Sequence, residues 1–126
     1  MANIIVIDDD LMVRRVVTLA LVKGGHTVRE GGDALEGLRL INAESPDLIV
    51  TDIVMPNVDG LELLSSLRRV GLLPPVIAMS GFSNLSPLYL KIAGQLGALR
   101  TLSKPFTAAE LMQAVDEVLG HVSGAV

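Results

Sequence analysis

Asp47-Leu48-Ile49-Val50-Thr51-Asp52 decides how the rest of the chain is read. Leu48 to Thr51 is short, apolar and rich in β-branched side chains, the pattern of a strand buried on both faces. It ends on a carboxylate. Pro56 and then Asn57-Val58-Asp59-Gly60 follow closely, and Pro with Asp-Gly marks a loop. Asp52 is therefore expected at the C-terminal tip of a central parallel strand, where open α/β sheets place their ligand sites. Taken alone, Asp52 is as simply a helix cap or a solvated loop residue, so its neighbours must decide.

Toward the N terminus, Asn3-Ile4-Ile5-Val6-Ile7 is a second apolar run, and it stops at Asp8-Asp9-Asp10. Val13, Val16, Val17, Ala20 and Leu21 then recur at helical spacing, and Gly24-Gly25 ends that helix. His26 to Glu30 reads as a weaker, more polar strand suited to a sheet edge. Asp33 with Glu36 resembles a capping box. Leu35, Leu38 and Ile41 form the stripe of the next helix, which Gly37 weakens by about 1 kcal/mol relative to Ala.

Toward the C terminus, Leu61 to Arg69 is a short helix and Val76 to Met79 a buried strand ending at Ser80-Gly81. Ser86 and Pro87 read as the cap and first residue of a helix, with Leu88, Ile92 and Leu96 as its stripe and Gly97 as its end. Ala98 to Leu102 is a fifth strand, ending at Ser103-Lys104-Pro105. Thr107 and Glu110 make a capping box before a helix with Leu111, Ala114, Val115, Val118 and Leu119 on its apolar face. Strand and helix alternate five times with short connections. That predicts an α/β fold, a doubly wound (βα)5 domain with a five-stranded parallel sheet.

Composition narrows the function. The 126 residues fit one domain, expected over 1–121 with a frayed tail at 122–126 and no output domain. Half of the residues are hydrophobic but only 2% are aromatic, so the core must be built from Leu, Ile, Val, Ala and Met. The net charge of -4 comes without any Lys/Arg block, which excludes the footprint of a direct nucleic-acid binder. Cysteine is absent, removing disulfides, thiol nucleophiles and thiolate metal sites. No apolar run reaches the length of a signal or membrane segment, so a cytoplasmic protein without membrane attachment is expected. Neither GxGxxG nor GxxxxGK[ST] occurs, so a nucleotide site is not indicated.

In such a sheet the C-terminal strand tips share one edge. That edge would collect Asp8 and Asp9 from strand 1, Asp52 from strand 3, Ser80 from strand 4 and Lys104 from strand 5. Three carboxylates crowded together repel, so either a proton or a cation must sit among them. Oxygen ligands alone favour a hard ion such as Mg²⁺. A carboxylate can also attack phosphorus, with Lys104 and the Ser80 hydroxyl taking up phosphoryl charge. Asp10 reads as a helix-start residue, Asp59 as a turn or cap residue beside Gly60, and His26 and His121 as exposed and incidental.

Ile7-Asp8-Asp9-Asp10, Thr51-Asp52-Ile53-Val54-Met55-Pro56 with Asp59-Gly60, Ala78-Met79-Ser80-Gly81 and Lys104-Pro105-Phe106 together resemble the receiver domain of the two-component response-regulator family, over essentially the full length. The resemblance implies the flavodoxin-like strand order 2-1-3-4-5. It implies Asp52 as the phosphoacceptor for a histidine kinase. It makes Asp9 and Asp52 direct Mg²⁺ ligands, Asp8 a ligand acting mainly through water, and the Val54 carbonyl a further oxygen. Ser80 matches the switch hydroxyl, Lys104 the phosphoryl-contacting lysine, and Lys104-Pro105 a cis peptide.

Two departures stand out. Thr101 occupies the place of the family's switch aromatic, so the usual inward turn of a ring cannot occur. Gly97-Ala98-Leu99-Arg100 replaces the acidic approach common in DNA-binding regulators, which removes the basis for their dimer mode. In such domains Val54 and Phe82 flank the path of an attacking water, and both are apolar, which predicts slow self-dephosphorylation; the alternative is that Phe82 belongs to the loop ahead of Ser86 and points away from the site. The expected function is a phosphorylation-controlled switch that catalyses its own modification and acts on a downstream target protein through the face around helix 4, strand 5 and helix 5. The alternative is a phosphorelay intermediate that passes the phosphoryl group to a histidine phosphotransfer protein. A module that no longer takes phosphate is opposed by the intact Asp8, Asp9, Asp52, Ser80 and Lys104. A phosphatase is opposed by Val54, which stands where its second Asp would be.

Overall fold

The computed structural model describes residues 1–55, 59–81 and 85–123, with the side chains of 121–123 left aside. Ten elements alternate: β1 (Asn3–Ile7), α1 (Leu11–Lys23), β2 (Thr27–Gly31), α2 (Ala34–Ala43), β3 (Leu48–Asp52), α3 (Gly60–Arg69), β4 (Val76–Ser80), α4 (Ser86–Gln95), β5 (Arg100–Ser103) and α5 (Ala108–Ser123). All pairings are parallel, and the strands lie in the order β2-β1-β3-β4-β5. The doubly wound fold expected from the alternation is the one observed.

Strand periodicity divides the core into two layers. Successive side chains of a strand face opposite ways. Ile4 and Val6 thus join Val17 and Leu21 of α1 and Leu111, Ala114, Val115 and Val118 of α5 on one side. Ile5 and Ile7 join Ala34 and Ile41 of α2, Leu63, Leu64 and Leu67 of α3, and Leu90 and Ala93 of α4 on the other. Every residue of β3 and β4 is buried, as their unbroken apolar runs require. Each fully buried aliphatic side chain contributes roughly 1.5–3 kcal/mol.

Several local expectations are corrected. Ser86 is the first residue of α4 rather than its cap; Leu85 occupies the cap position and offers no side-chain cap bond. The buried stripe of α4 is Ser86, Leu90 and Ala93, whereas Leu88 is 51% exposed. On α2 the helix rests on Ala34, Gly37 and Ile41, and Leu35 faces out. On α1 Val16 faces out too. The physical reason at α2 is close approach: a Cβ on Gly37 would stand 2.3 Å from Ile7 Cδ1. A small residue there lets the helix settle on the sheet. His26 is half-buried, and its Nδ1 accepts the Ala2 N–H at 3.1 Å. The Thr107–Glu110 capping box is reciprocal, with bonds of 3.0 and 3.2 Å. Of the tail expected to fray at 122–126, residues 122 and 123 continue the backbone of α5, and 124–126 lie outside the described residues.

Candidate phosphoacceptor and metal site

The C-terminal tips of β1, β3, β4 and β5 converge through backbone geometry. At the end of β1, the Asp8 N–H still donates to Gly31 O of β2 (3.1 Å), which carries the ladder one residue past the strand. Asp8 Oδ1 then accepts the Asp10 N–H (2.9 Å) and turns the chain. Asp10 in turn caps α1 by accepting the N–H groups of Met12 (2.9 Å) and Val13 (3.3 Å), as its reading as a helix-start residue required. At the tip of β3, Asp52 Oδ1 accepts the Val54 N–H at 3.2 Å. Asp59 caps α3 through the Glu62 N–H (2.9 Å), and Gly60 donates to Ile53 O (3.1 Å). No side chain fits at Gly60, because a Cβ would meet Asp52 O at 2.3 Å and Ile53 Cα at 2.6 Å.

These tips bring Asp8, Asp9 and Asp52 together: one carboxylate oxygen from each lies within 4.8 Å of the others. Asp8 is fully buried and Asp52 is 6% exposed, while Asp9 is open to solvent. Lys104, just beyond β5, places Nζ 2.7 Å from Asp8 Oδ2 and 3.4 Å from Asp52 Oδ2. The Lys104–Pro105 peptide is cis. Ser80 Oγ is buried and has no hydrogen-bond partner among the described residues. Thr101 lies exposed on β5, paired with Ala78. The Val54 side chain is half-exposed. Phe82, expected to shield the site, and Pro56 to Val58 lie outside the described residues.

The electrostatics follow from this crowding. Burial raises the Asp52 pKa above its ordinary 3.8; the charge of Lys104 opposes that shift and the charge of Asp8 reinforces it. For Lys104, burial favours the neutral amine, but the Asp8 hydrogen bond and the charges of Asp52 and Asp8 outweigh it and raise the pKa. Three carboxylates still face one ammonium. The donor set is all oxygen, hard and negatively charged, and opposite ligands of Mg²⁺ stand about 4.2 Å apart. Asp8, Asp9 and Asp52 therefore fit a divalent hard cation, and the Ser80 hydroxyl is a donor awaiting an acceptor.

One residue at this site escaped the sequence reading. Arg14, in the first turn of α1, donates Nη1 to Asp8 O (2.9 Å) and Nε to Glu30 Oε1 (2.9 Å). A cation at a helix N-terminus runs against the macrodipole, and that misplacement was the available signal.

Comparison with known proteins agrees with this geometry. Residues 4–116 match the family described as Response regulator receiver domain. The chain is 37% identical over 118 residues to the DNA-binding transcriptional regulator NtrC of Azospirillum brasilense, covering 94% of this chain and 24% of that protein. It is 35% identical to the response regulator MprA of Mycobacterium ulcerans (strain Agy99), covering 93% of this chain and 50% of that one. The chain thus spans between a quarter and a half of the length of these relatives. Among solved structures, the receiver domain of NtrX from Brucella abortus superposes with a TM-score of 0.84 at 32% identity, covering 92% of this chain and 97% of that one. The receiver domain of the Francisella response regulator 1452 superposes with a TM-score of 0.88 at 29% identity, covering 98% and 100%. With the sheet order, the strand-tip acids and a family match over nearly the whole length in agreement, the chain belongs to the response regulator receiver domain family.

Proposed function

We propose that this domain is a signalling switch whose Asp52 carboxylate takes a phosphoryl group from the phosphohistidine of a histidine kinase. The observation that supports it most is the placement of Lys104 between Asp8 and Asp52, beside an acid cluster with more negative charge than one ammonium balances. In the transfer, an Asp52 carboxylate oxygen forms the new O–P bond. The N–P bond breaks, and the histidine nitrogen leaves with the bonding pair and takes up a proton. Lys104, held protonated by its two acids, is placed to take up charge on the phosphoryl oxygens. Ser80 Oγ, buried and unpartnered among the described residues, supplies a hydroxyl donor that the unmodified site does not use.

Asp8, Asp9 and Asp52, with the Val54 carbonyl, would hold Mg²⁺, which when bound neutralises phosphoryl charge. Asp52 is the acceptor in this reading because it alone of the three sits on the central strand, is nearly buried and touches Lys104 only at 3.4 Å. That leaves it less engaged than Asp8. Thr101 cannot occlude anything as a ring would, so the switch runs through Ser80 and Lys104 toward the α4-β5-α5 face, where a downstream protein would read it. We place the domain in the cytoplasm; among the described residues no helix is long and apolar enough to cross a membrane.

The test is intact mass after incubation with a small phosphodonor and Mg²⁺. One phosphoryl group is expected on the parent and none on Asp52→Asn. Equal labelling of both would contradict the assignment.

A further inference from the structure

Asp9 differs from the two carboxylates it faces in how it is held. Asp8 is tied at four points: its N–H to Gly31 O (3.1 Å), its carbonyl to Arg14 Nη1 (2.9 Å), Oδ1 to the Asp10 N–H (2.9 Å) and Oδ2 to Lys104 Nζ (2.7 Å). Asp52 is tied by the Val54 N–H and Lys104. The Asp9 carboxylate is exposed and accepts no hydrogen bond from any described residue. Among the described residues only the backbone places the base of this side chain, and the peptide that leads into it is the one whose carbonyl Arg14 holds.

Arg14 is itself held. Its Nε donates to Glu30 Oε1 at 2.9 Å, and the two side chains are only 18% and 20% exposed. Arg15 adds a looser contact to Glu30 Oε2 at 3.6 Å. The slot is close-fitting: a Cβ on Gly32 would come within 3.2 Å of Arg14 Nη1. A planar guanidinium can serve two acceptors in fixed directions, which a lysine ammonium on a flexible stem does not do. The pair carries no net charge, so its contribution is orientation rather than potential.

We propose that the Arg14–Glu30 pair is a positioning device for Asp9: by fixing the Asp8–Asp9 peptide it keeps the Asp9 carboxylate facing Asp52 and Asp8, and so sets the affinity of the cluster for a divalent cation. This rests on reading the cluster as a cation site. Charge and positioning predict opposite signs. If Arg14 were merely a positive charge beside the cluster, its removal would tighten cation binding; as a positioning residue, its removal loosens it.

Mg²⁺ alone is titrated by calorimetry or NMR into the full 126-residue chain and three variants. Arg14→Met is expected to bind more weakly, on the order of tenfold, the scale seen when groups that orient metal ligands are removed. Arg14→Lys keeps the charge and stem and is expected to lose a smaller part of the affinity; it carries the test if the Met variant fails to fold. Arg29→Met removes a similar anchor at the opposite end of the sheet, where Arg29 donates to Leu40 O and Glu44 O, and is expected to leave affinity unchanged. Binding by Arg14→Met as tight as the parent or tighter overturns the proposal. So does parental affinity in Arg14→Lys, or an equal loss in Arg29→Met. No Mg²⁺ binding by the parent overturns the cation site along with it, whereas parental binding with an unaffected Arg14→Met overturns the positioning role alone.

Discussion

The two edges of the sheet hold similar polar groups and use them in opposite ways. At the N-terminal edge, the Asn3 N–H donates to Asp47 Oδ2 (2.8 Å), the Asn3 amide reaches Glu44, and Arg29 donates to Leu40 O (2.9 Å) and Glu44 O (2.7 Å). Apart from the buried Arg29 Nε, these groups pair with one another or lie near solvent. At the C-terminal edge, Asp8, Asp52 and Ser80 are buried, three carboxylates face one ammonium, and Ser80 Oγ has no partner among the described residues. Burying charge and hydroxyl without full compensation costs stability. Among the described residues the fold accepts that cost for clustered carboxylates at the C-terminal edge only, and that edge is where phosphoryl chemistry is proposed.

The largest expected effect breaks the reactive edge. Lys104→Met removes the only ammonium in contact with Asp8 and Asp52 among the described residues. Its labelling rate with a small phosphodonor should fall on the order of a hundredfold, as when a transition-state donor is deleted. Next, Gly60→Ala forces a Cβ against the Asp52 carbonyl and Ile53 Cα. Those are backbone atoms that cannot swing aside, so denaturant unfolding should register a loss of about 1–3 kcal/mol.

Asp52→Asn should act in the other direction. In metal-free buffer at neutral pH it should stabilise the chain by about 1–3 kcal/mol, the scale for relieving an imperfectly paired buried polar group. Because the folded pKa of Asp52 lies above 3.8, the native state binds its proton more tightly than the unfolded chain does. The parent's stability from this group is present below that value and is lost as pH rises through the folded pKa. The gap between variant and parent should therefore open with rising pH and close in acid, as measured by unfolding across pH. The smallest effect belongs to the other edge: Arg29→Met should cost up to about 1 kcal/mol through the lost contacts at the α2 C-terminus, with labelling unchanged. Impaired labelling there would erase the distinction between the edges.

The strand tips were legible because an apolar run that stops on a charge has few other meanings. Asp10, Asp59 and Thr107 were legible as caps because short polar side chains before an apolar repeat have a local role. Helix faces were less so. On α2 and α4 the sheet receives Ala34, Gly37 and Ala93, and small residues carry no hydropathy signal. Leu35 and Leu88, the larger neighbours, fit a helical stripe by spacing but face outward in the fold. The placement of Ser86 failed for a similar reason: Pro at the second helical position is as compatible with the first turn as Pro at the first. Arg14 and Glu30 lie sixteen residues apart on different elements, so no local pattern joins them.

The central claim, that Asp52 is the residue that receives the phosphoryl group, is tested most directly by trapping the product. An acyl phosphate is reduced by borohydride to an alcohol, which marks the modified carboxylate permanently. After treatment with a small phosphodonor and Mg²⁺, then borohydride and peptide mapping, the account predicts that position 52 reads as homoserine while positions 8 and 9 remain aspartate. Homoserine at position 8 or 9, or an unmodified position 52 in a chain that intact mass shows to be labelled, would contradict it.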